Sequence, residues 1–248
     1  MRTPCPSESG RSATRAAWAQ HPAVAVDNRA MPIRVVLRGL LDLIAPPRCI
    51  ACDEELEPGE EGFCVVCSPL LEPLAGAEAS MAVLRFGGPL ASAMRRFKYG
   101  GRSELARPLV AAIAERARAA CAGMDAIVPV PLHAGRLRER GFDQTSLLAG
   151  ELAKLVRVPR RLDLLERTRA TTVQAALDRA ARLANVEGAF AGSPRAEGLR
   201  VLVLDDVRTT GATLSQACHA LLRAGALRAQ PLALALADVG EGDPASSR

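Results

Sequence analysis

Two adjacent carboxylates, Asp205 and Asp206, close an aliphatic run from Val201 to Leu204 and open a turn built from Arg208, Thr209, Thr210, Gly211, Ala212 and Thr213. Small residues at Gly211 and Ala212 let backbone amides come close to an anion, and the three threonine hydroxyls add donors. A helix beginning at this turn would add the positive end of its dipole. The pattern describes a phosphate cradle with two carboxylates beside it. Carboxylates repel an anion unless they address another part of the same ligand, so the pair suits vicinal ribose hydroxyls or a divalent cation held against a diphosphate. A ribose 5-phosphate carrying an activated diphosphate meets both requirements.

A second constellation is made of sulfur. Cys49 and Cys52 form "CIAC", Cys64 and Cys67 form "CVVC", and eleven residues separate the pairs. Each Cys-x-x-Cys turn aims two thiolates to one side, and two such knuckles make the tetrahedral shell that zinc prefers. Four thiolates leave no open position for substrate, so this metal is expected to fold the segment and take no part in chemistry. The alternatives are two disulfides or four unrelated thiols, and a cytosolic setting argues against disulfides. Cys121 and Cys218 sit in apolar helical patterns and read as small buried residues, while Cys5 lies in the N-terminal tail.

These groups need elements to hold them. Val201 to Leu204 reads as a buried strand, and the helix after the turn is apolar at Leu214, Ala217, Cys218, Leu221 and Leu222, one stripe at helical spacing closed by Gly225. Elsewhere Glu104 to Ala122 and Gln144 to Val156 read as helices, with Ala126 to Pro131 and Pro231 to Ala237 as strands. Such alternation implies an α/β fold, a parallel sheet with helices on both faces. Ligands of open parallel sheets bind at the C-terminal ends of the strands, which is where Asp205 and Asp206 fall.

Composition bounds the rest. The chain has 248 residues, 49% of them apolar, enough for a core. Its net charge is +5, carried almost wholly by arginine, since Lys98 and Lys154 are the only lysines. That is weak support for an anionic partner, because an arginine-biased composition would look the same. Residues 1–32 read as a disordered extension, with Met31 a possible start, and residues 33–80 as an amphipathic helix (Ile33 to Ala45), the zinc ribbon and a Pro-rich linker. The sugar-phosphate domain is expected over residues 81–240, followed by a flexible tail over 241–248. No segment reads as a signal peptide or membrane span, so the expectation is a soluble cytoplasmic protein without membrane insertion.

The "DDVRTTGAT" stretch resembles the signature of type I phosphoribosyltransferases. With "VPVPLHAGRLRERGFDQTSLLA" (Val128 to Ala149), "FKYGGRSELA" (Phe97 to Ala106), "RTRATTVQAALDRAARLANVEGAF" (Arg167 to Phe190) and the cysteine knuckles, the chain is similar over residues 33–237 to the competence protein F family, also called the ComF or GntX type. The resemblance implies a type I phosphoribosyltransferase fold and binding of 5-phosphoribosyl 1-diphosphate (PRPP) with magnesium. Asp205, Asp206, Arg208, Thr209, Thr210, Gly211, Ala212 and Thr213 would form the PRPP site, with the carboxylates as catalytic groups. Leu132, His133, Arg136 and Arg140 would belong to a diphosphate loop, and Arg167, Arg169, Thr171 and Gln174 to a mobile loop closing over the reacting centre or to an ordinary helix start. Arg136, Arg138 and Arg140 alternate, so they cannot share one helical face. Asp143 stands where the family usually has Asn after "RGF"; it would weaken phosphate binding if it touched one, and would serve as well if it capped the next helix.

Implied activity is transfer of a phosphoribosyl group to an unidentified acceptor, within DNA uptake. The alternative is an adaptor that senses PRPP or handles single-stranded DNA without turnover, working with a separate translocase ATPase, since the chain has no P-loop segment. Aromatic residues are only 3%, so platforms for base stacking are scarce.

Overall fold

Four parallel strands in the order β1-β6-β5-β2 make the central sheet: β1 (Ala82–Arg85), β2 (Ala126–Pro129), β5 (Arg200–Arg208) and β6 (Arg228–Leu236). The computed structural model describes residues 46–80, 82–132, 134–169 and 188–237, all within a unit spanning Ala45–Arg248. The expected helix at 33–45, the alternative start at Met31, the flexible tail, and His133, Thr171 and Gln174 lie outside the described residues.

The central strands are apolar on both faces, as a parallel sheet between helices requires. Leu202 and Leu204 of β5 point into one core, together with Leu232 and Leu234 of β6. Four helices close that side: α1 (Gly88–Tyr99), α2 (Ala106–Ala112), α3 (Ala114–Cys121) and α5 (Gln144–Val156). Val201 and Val203 point the other way, onto α6 (Ala212–Arg223) and a two-stranded antiparallel ribbon, β3 (Leu165–Arg167) with β4 (Phe190–Gly192). Alternation of side chains along β5 thus assigns each residue to one of two cores. α6 buries Leu214, Ala217, Cys218 and Leu221, the stripe read from its sequence, while Leu222 is 44% exposed.

Several features differ from the sequence reading, among them the start of β6 at Arg228, three residues before the expected Pro231. The helix expected over Glu104 to Ala122 is divided: a 3-10 turn at Ser103–Leu105 leads into α2, and α2 and α3 part at Ile113, whose φ of −109° and ψ of 7° leave the helical region. The step lets Leu109, Val110 and Ile113 share a core with Ala117 and Cys121. β5 runs four residues beyond its aliphatic stretch, because pairing with β6 continues through Asp205↔Ala233 to Arg208↔Leu236. β1 and the β3–β4 ribbon were not anticipated.

Both rims of the sheet are covered by irregular chain. The Leu74 N–H donates to the Val83 carbonyl (2.9 Å) and Arg85 N–H to the Glu72 carbonyl (2.8 Å), which covers β1. On β2, the Ile127 N–H donates to Pro159 and its carbonyl accepts from Arg161, both at 2.9 Å, and Pro129 has no N–H to offer. Among the described residues no helix is long and apolar enough to cross a membrane.

Candidate functional site

β2 ends at Pro129, opposite Leu204, whereas β5 continues to Arg208. The last four residues of β5 therefore line a crevice that β2 leaves open. Asp205 and Asp206 are the first two of them and are half-buried. The Asp205 Oδ1 accepts the Asp206 N–H at 2.9 Å, and the Asp206 Oδ1 accepts the Val207 N–H. The Asp206 Oδ2 lies 3.1 Å from the Lys98 ammonium of α1, in an ion pair whose side chains are only 14% and 9% exposed.

The two carboxyls differ electrostatically. Burial, and then the charge of Asp206, push Asp205 up to about 7, and only partly offsetting this are the Asp206 amide, Lys98 and Arg167. Burial acts on Asp206 in the same sense. There the Lys98 charge and hydrogen bond, Arg140 and the Val207 amide outweigh it and hold the carboxyl below its ordinary range.

The expected phosphate turn directly follows. Gly211 is the N-cap of α6 in left-handed geometry (φ 79°), a conformation glycine adopts without strain. The Thr210 hydroxyl accepts the Ala212 N–H at 3.3 Å, and the first turn of α6 supplies N–H groups without intrahelical partners. Arg208 folds back against this turn so closely that a Cβ on Gly211 would sit 2.5 Å from its Nε. That Nε is buried and, among the described residues, has no hydrogen-bond partner.

Of the loop residues, Leu132 and Arg136 are half-buried, Arg138 is exposed, and Arg140 ends α4 (Ala134–Arg140). The Arg140 guanidinium stacks 4.9 Å from the Tyr99 ring centroid, donates to the Tyr99 hydroxyl (3.1 Å) and to the Gln144 Oε1 (2.8 Å), and reaches Asp206 electrostatically. Arg167 lies in β3, donates to the Pro131 carbonyl at 3.3 Å and packs over the Phe190 ring. Burial lowers its pKa, Arg136 lowers it further, and Asp205 acts in the opposite sense. Arg167 is thus brought to Asp205, with Arg136 close to Arg167, and Arg169 falls just beyond the ribbon. Asp143 is the N-cap of α5, accepting the Ser146 N–H at 2.9 Å, so its charge serves a cap.

The four cysteine sulfurs lie within 4.8 Å of one another. Cys52 and Cys64 Sγ are 3.7 Å apart. A tetrahedron with Zn–S bonds of about 2.3 Å has edges of about 3.8 Å, so the cluster fits zinc. Left-handed Asp53 (φ 67°) turns the first knuckle, and the Cys64 N–H donates to the Cys49 sulfur at 3.4 Å. The Asp53 carboxylate joins the knuckle to its neighbours through Arg96 of α1 (2.6 Å) and Arg102 (3.3 Å). Cys121 and Cys218 are buried in the cores as expected.

Lys98, Tyr99 and Gln144 were missed as site residues. The available signal for Lys98 was its spacing: it continues the buried positions Ala91 and Met94 of α1, where an apolar residue would be expected.

No protein-family model matches the chain. It is similar to DNA utilization protein YhgH of Escherichia coli K12, with 29% identity over 218 residues that cover 76% of this chain and 96% of the relative. Competence protein F of Haemophilus influenzae is 28% identical over 199 residues, 77% of this chain and 85% of the relative. Both names agree with the resemblance read from the motifs. Among solved structures, glutamine PRPP amidotransferase from B. subtilis, complexed with ADP and GMP, matches with 21% identity and a TM-score of 0.35, over 54% of this chain and 26% of that one. The allosteric regulatory enzyme of purine biosynthesis matches with 20% identity and the same TM-score, over 54% and 25%. The chain spans about a quarter of the length of these two structures.

Proposed function

We propose that the protein binds PRPP with magnesium at the end of β5 and transfers its phosphoribosyl group to an acceptor, in a cellular setting of DNA use suggested by relatives named for DNA utilization and competence. The observation that carries this reading is the juxtaposition of the carboxyl pair, the Gly211 turn and the arginines 136, 140 and 167 around one crevice. The turn and α6 would hold the 5-phosphate, and Asp205 and Asp206 the ribose hydroxyls. Arg136 and Arg167 provide positive charge on the side where β2 ends.

In the reaction the bond from ribose C1 to diphosphate oxygen breaks, diphosphate leaves with the electron pair, and the acceptor forms the new bond at C1. Carboxylates beside the ribose stabilise the positive charge developing at C1. Their oxygens suit a hard cation, and magnesium would neutralise the leaving diphosphate. Zinc at the four cysteines would act as a fold element only.

Isothermal titration of PRPP with magnesium into the zinc-loaded protein tests the reading, with an Asp205→Asn, Asp206→Asn double variant alongside and diphosphate release measured in parallel. Saturable binding lost in the variant is expected. Absence of binding by folded protein would overturn the proposal, and binding without release for any nucleobase or amine acceptor would replace the transferase by a PRPP-sensing adaptor.

A further inference from the structure

The carboxyl pair is not symmetric, and a residue outside the signature makes it so. Both oxygens of Asp206 are engaged by the protein: Oδ1 by the Val207 N–H and Oδ2 by the Lys98 ammonium at 3.1 Å. Asp205 has only its Oδ1 engaged, by the Asp206 N–H, and among the described residues its Oδ2 meets no donor. Lys98 reaches the pair from the last turn of α1, on the face that elsewhere buries Ala91 and Met94, and is itself 8% exposed. The chain's other lysine, Lys154, pairs with Glu151 on the surface with 73% of its side chain exposed. Lysine burial of this kind is costly unless the ammonium is paired, so Lys98 and Asp206 each depend on the other.

We propose that Lys98 is the positioning residue of the sugar site: its ammonium anchors the Asp206 carboxylate to α1 and leaves Asp205 as the carboxyl group that meets the ligand. The proposal rests on the PRPP reading for the identity of the ligand, but not for the anchoring. It divides labour within a pair that sequence treats as equivalent. Asp206 is held by the protein through both oxygens, and Asp205 is the group with an oxygen left for a ligand among the described residues. Four charged groups face the pair: Lys98 from α1, Arg140 from α4, Asp143 from the head of α5 and Arg167 from β3. Lys98 makes a direct ion pair with Asp206. A guanidinium at this position would keep the charge but bring a bulkier fork of five donors, more than the single Asp206 oxygen that Lys98 meets can satisfy.

Full-length protein labelled with carbon-13 at the aspartate carboxyls, in wild-type, Lys98→Met and Lys98→Gln forms, gives the first test. In the wild type the Asp206 signal should titrate below the ordinary carboxylate range. Both variants should move that midpoint upward, since burial is then uncompensated, and two substitutions of different polarity guard against one failing to fold. An unchanged midpoint overturns the anchoring. Titration of magnesium and PRPP gives the second test: Lys98→Met should weaken binding about tenfold or more, Lys98→Arg should restore only part of it, and Lys98→Met should add nothing in an Asp206→Asn background. A full penalty in that background shows that Lys98 acts elsewhere and refutes the positioning role. If the wild type binds no PRPP, the proposed function falls, while the carboxyl titration still decides whether Lys98 holds Asp206.

Discussion

Replacing Gly211 by alanine tests the backbone of the phosphate turn and the placement of Arg208 together. At φ 79° an L-residue is disfavoured by about 1–2 kcal/mol relative to glycine. The added Cβ would also stand 2.5 Å from the Arg208 Nε, 3.0 Å from Nη2 and 3.1 Å from Cζ, all inside contact distance. Those atoms end a flexible side chain that can withdraw, so the stability cost is expected to be mainly the backbone term. About 1–2 kcal/mol corresponds to a fall in Tm of roughly 2–8 °C for a domain of this size. Withdrawal of Arg208 appears instead as weaker binding of magnesium and PRPP. Melting and titration of Gly211→Ala in wild-type and Arg208→Ala backgrounds separate the two effects: the fall in Tm should persist in both, and the loss of affinity should shrink when Arg208 is absent. A Gly211→Ala protein that melts with the wild type would refute the left-handed turn, and equal affinity losses in the two backgrounds would refute the contact with Arg208.

Asp205→Asn changes the dependence of stability on pH. A carboxyl raised in the folded state to about 7 favours folding most below its unfolded value near 3.8 and loses that contribution as pH rises through 7, so the gain of the variant on the wild type in melts should be larger at pH 8 than at pH 5. Asp143→Asn should keep the cap of α5, whereas Asp143→Ala should cost about 1 kcal/mol in denaturant unfolding, and equal stabilities would count against the cap. Elemental analysis should find one zinc per chain, and Cys64→Ser should lose it together with stability, because Cys49, Cys64 and Cys67 pack in the same core as α1 and β5. Gly192→Ala should destabilise far more than a surface change, since its Cβ would stand 2.5 Å from the Ala220 carbonyl of α6; a neutral effect in thermal melts would show that β4 and α6 are not in close approach.

Residues with an unambiguous local pattern were legible before the structure. Gln144 to Val156 is a helix with the bounds its periodicity suggests, and the four thiols converge as their spacing requires. What escaped depended on tertiary neighbours. β5 continues through polar Asp205 to Arg208 because β6 lies alongside, which no alternation within β5 reveals. Ile113 breaks a helix without proline or glycine, and the break lets Leu109, Val110 and Ile113 share a core with Ala117 and Cys121. Lys98 shows in the sequence only as a charge on an apolar stripe, and its role comes from the carboxylate that the fold places 3.1 Å away. By its place in the sequence Asp143 suits either a phosphate contact or a cap, and its hydrogen bond to Ser146 shows the cap.

The covered rims of the sheet bear on how the molecule meets others. A strand with free amides and carbonyls is a template on which a second chain, or an extended peptide, can add itself and begin a polymer. Here the segment at Glu72 to Leu74 occupies one rim, Pro159 to Arg161 and the imino nitrogen of Pro129 the other. Growth of the sheet by annealing is blocked at both ends, so the concentrated solutions that calorimetry needs should not seed fibrils along these edges. Among the described residues, a chain approaching these two rims finds the backbone groups of Val83, Arg85 and Ile127 already paired, and recognition there falls to side chains, which single substitutions can dissect.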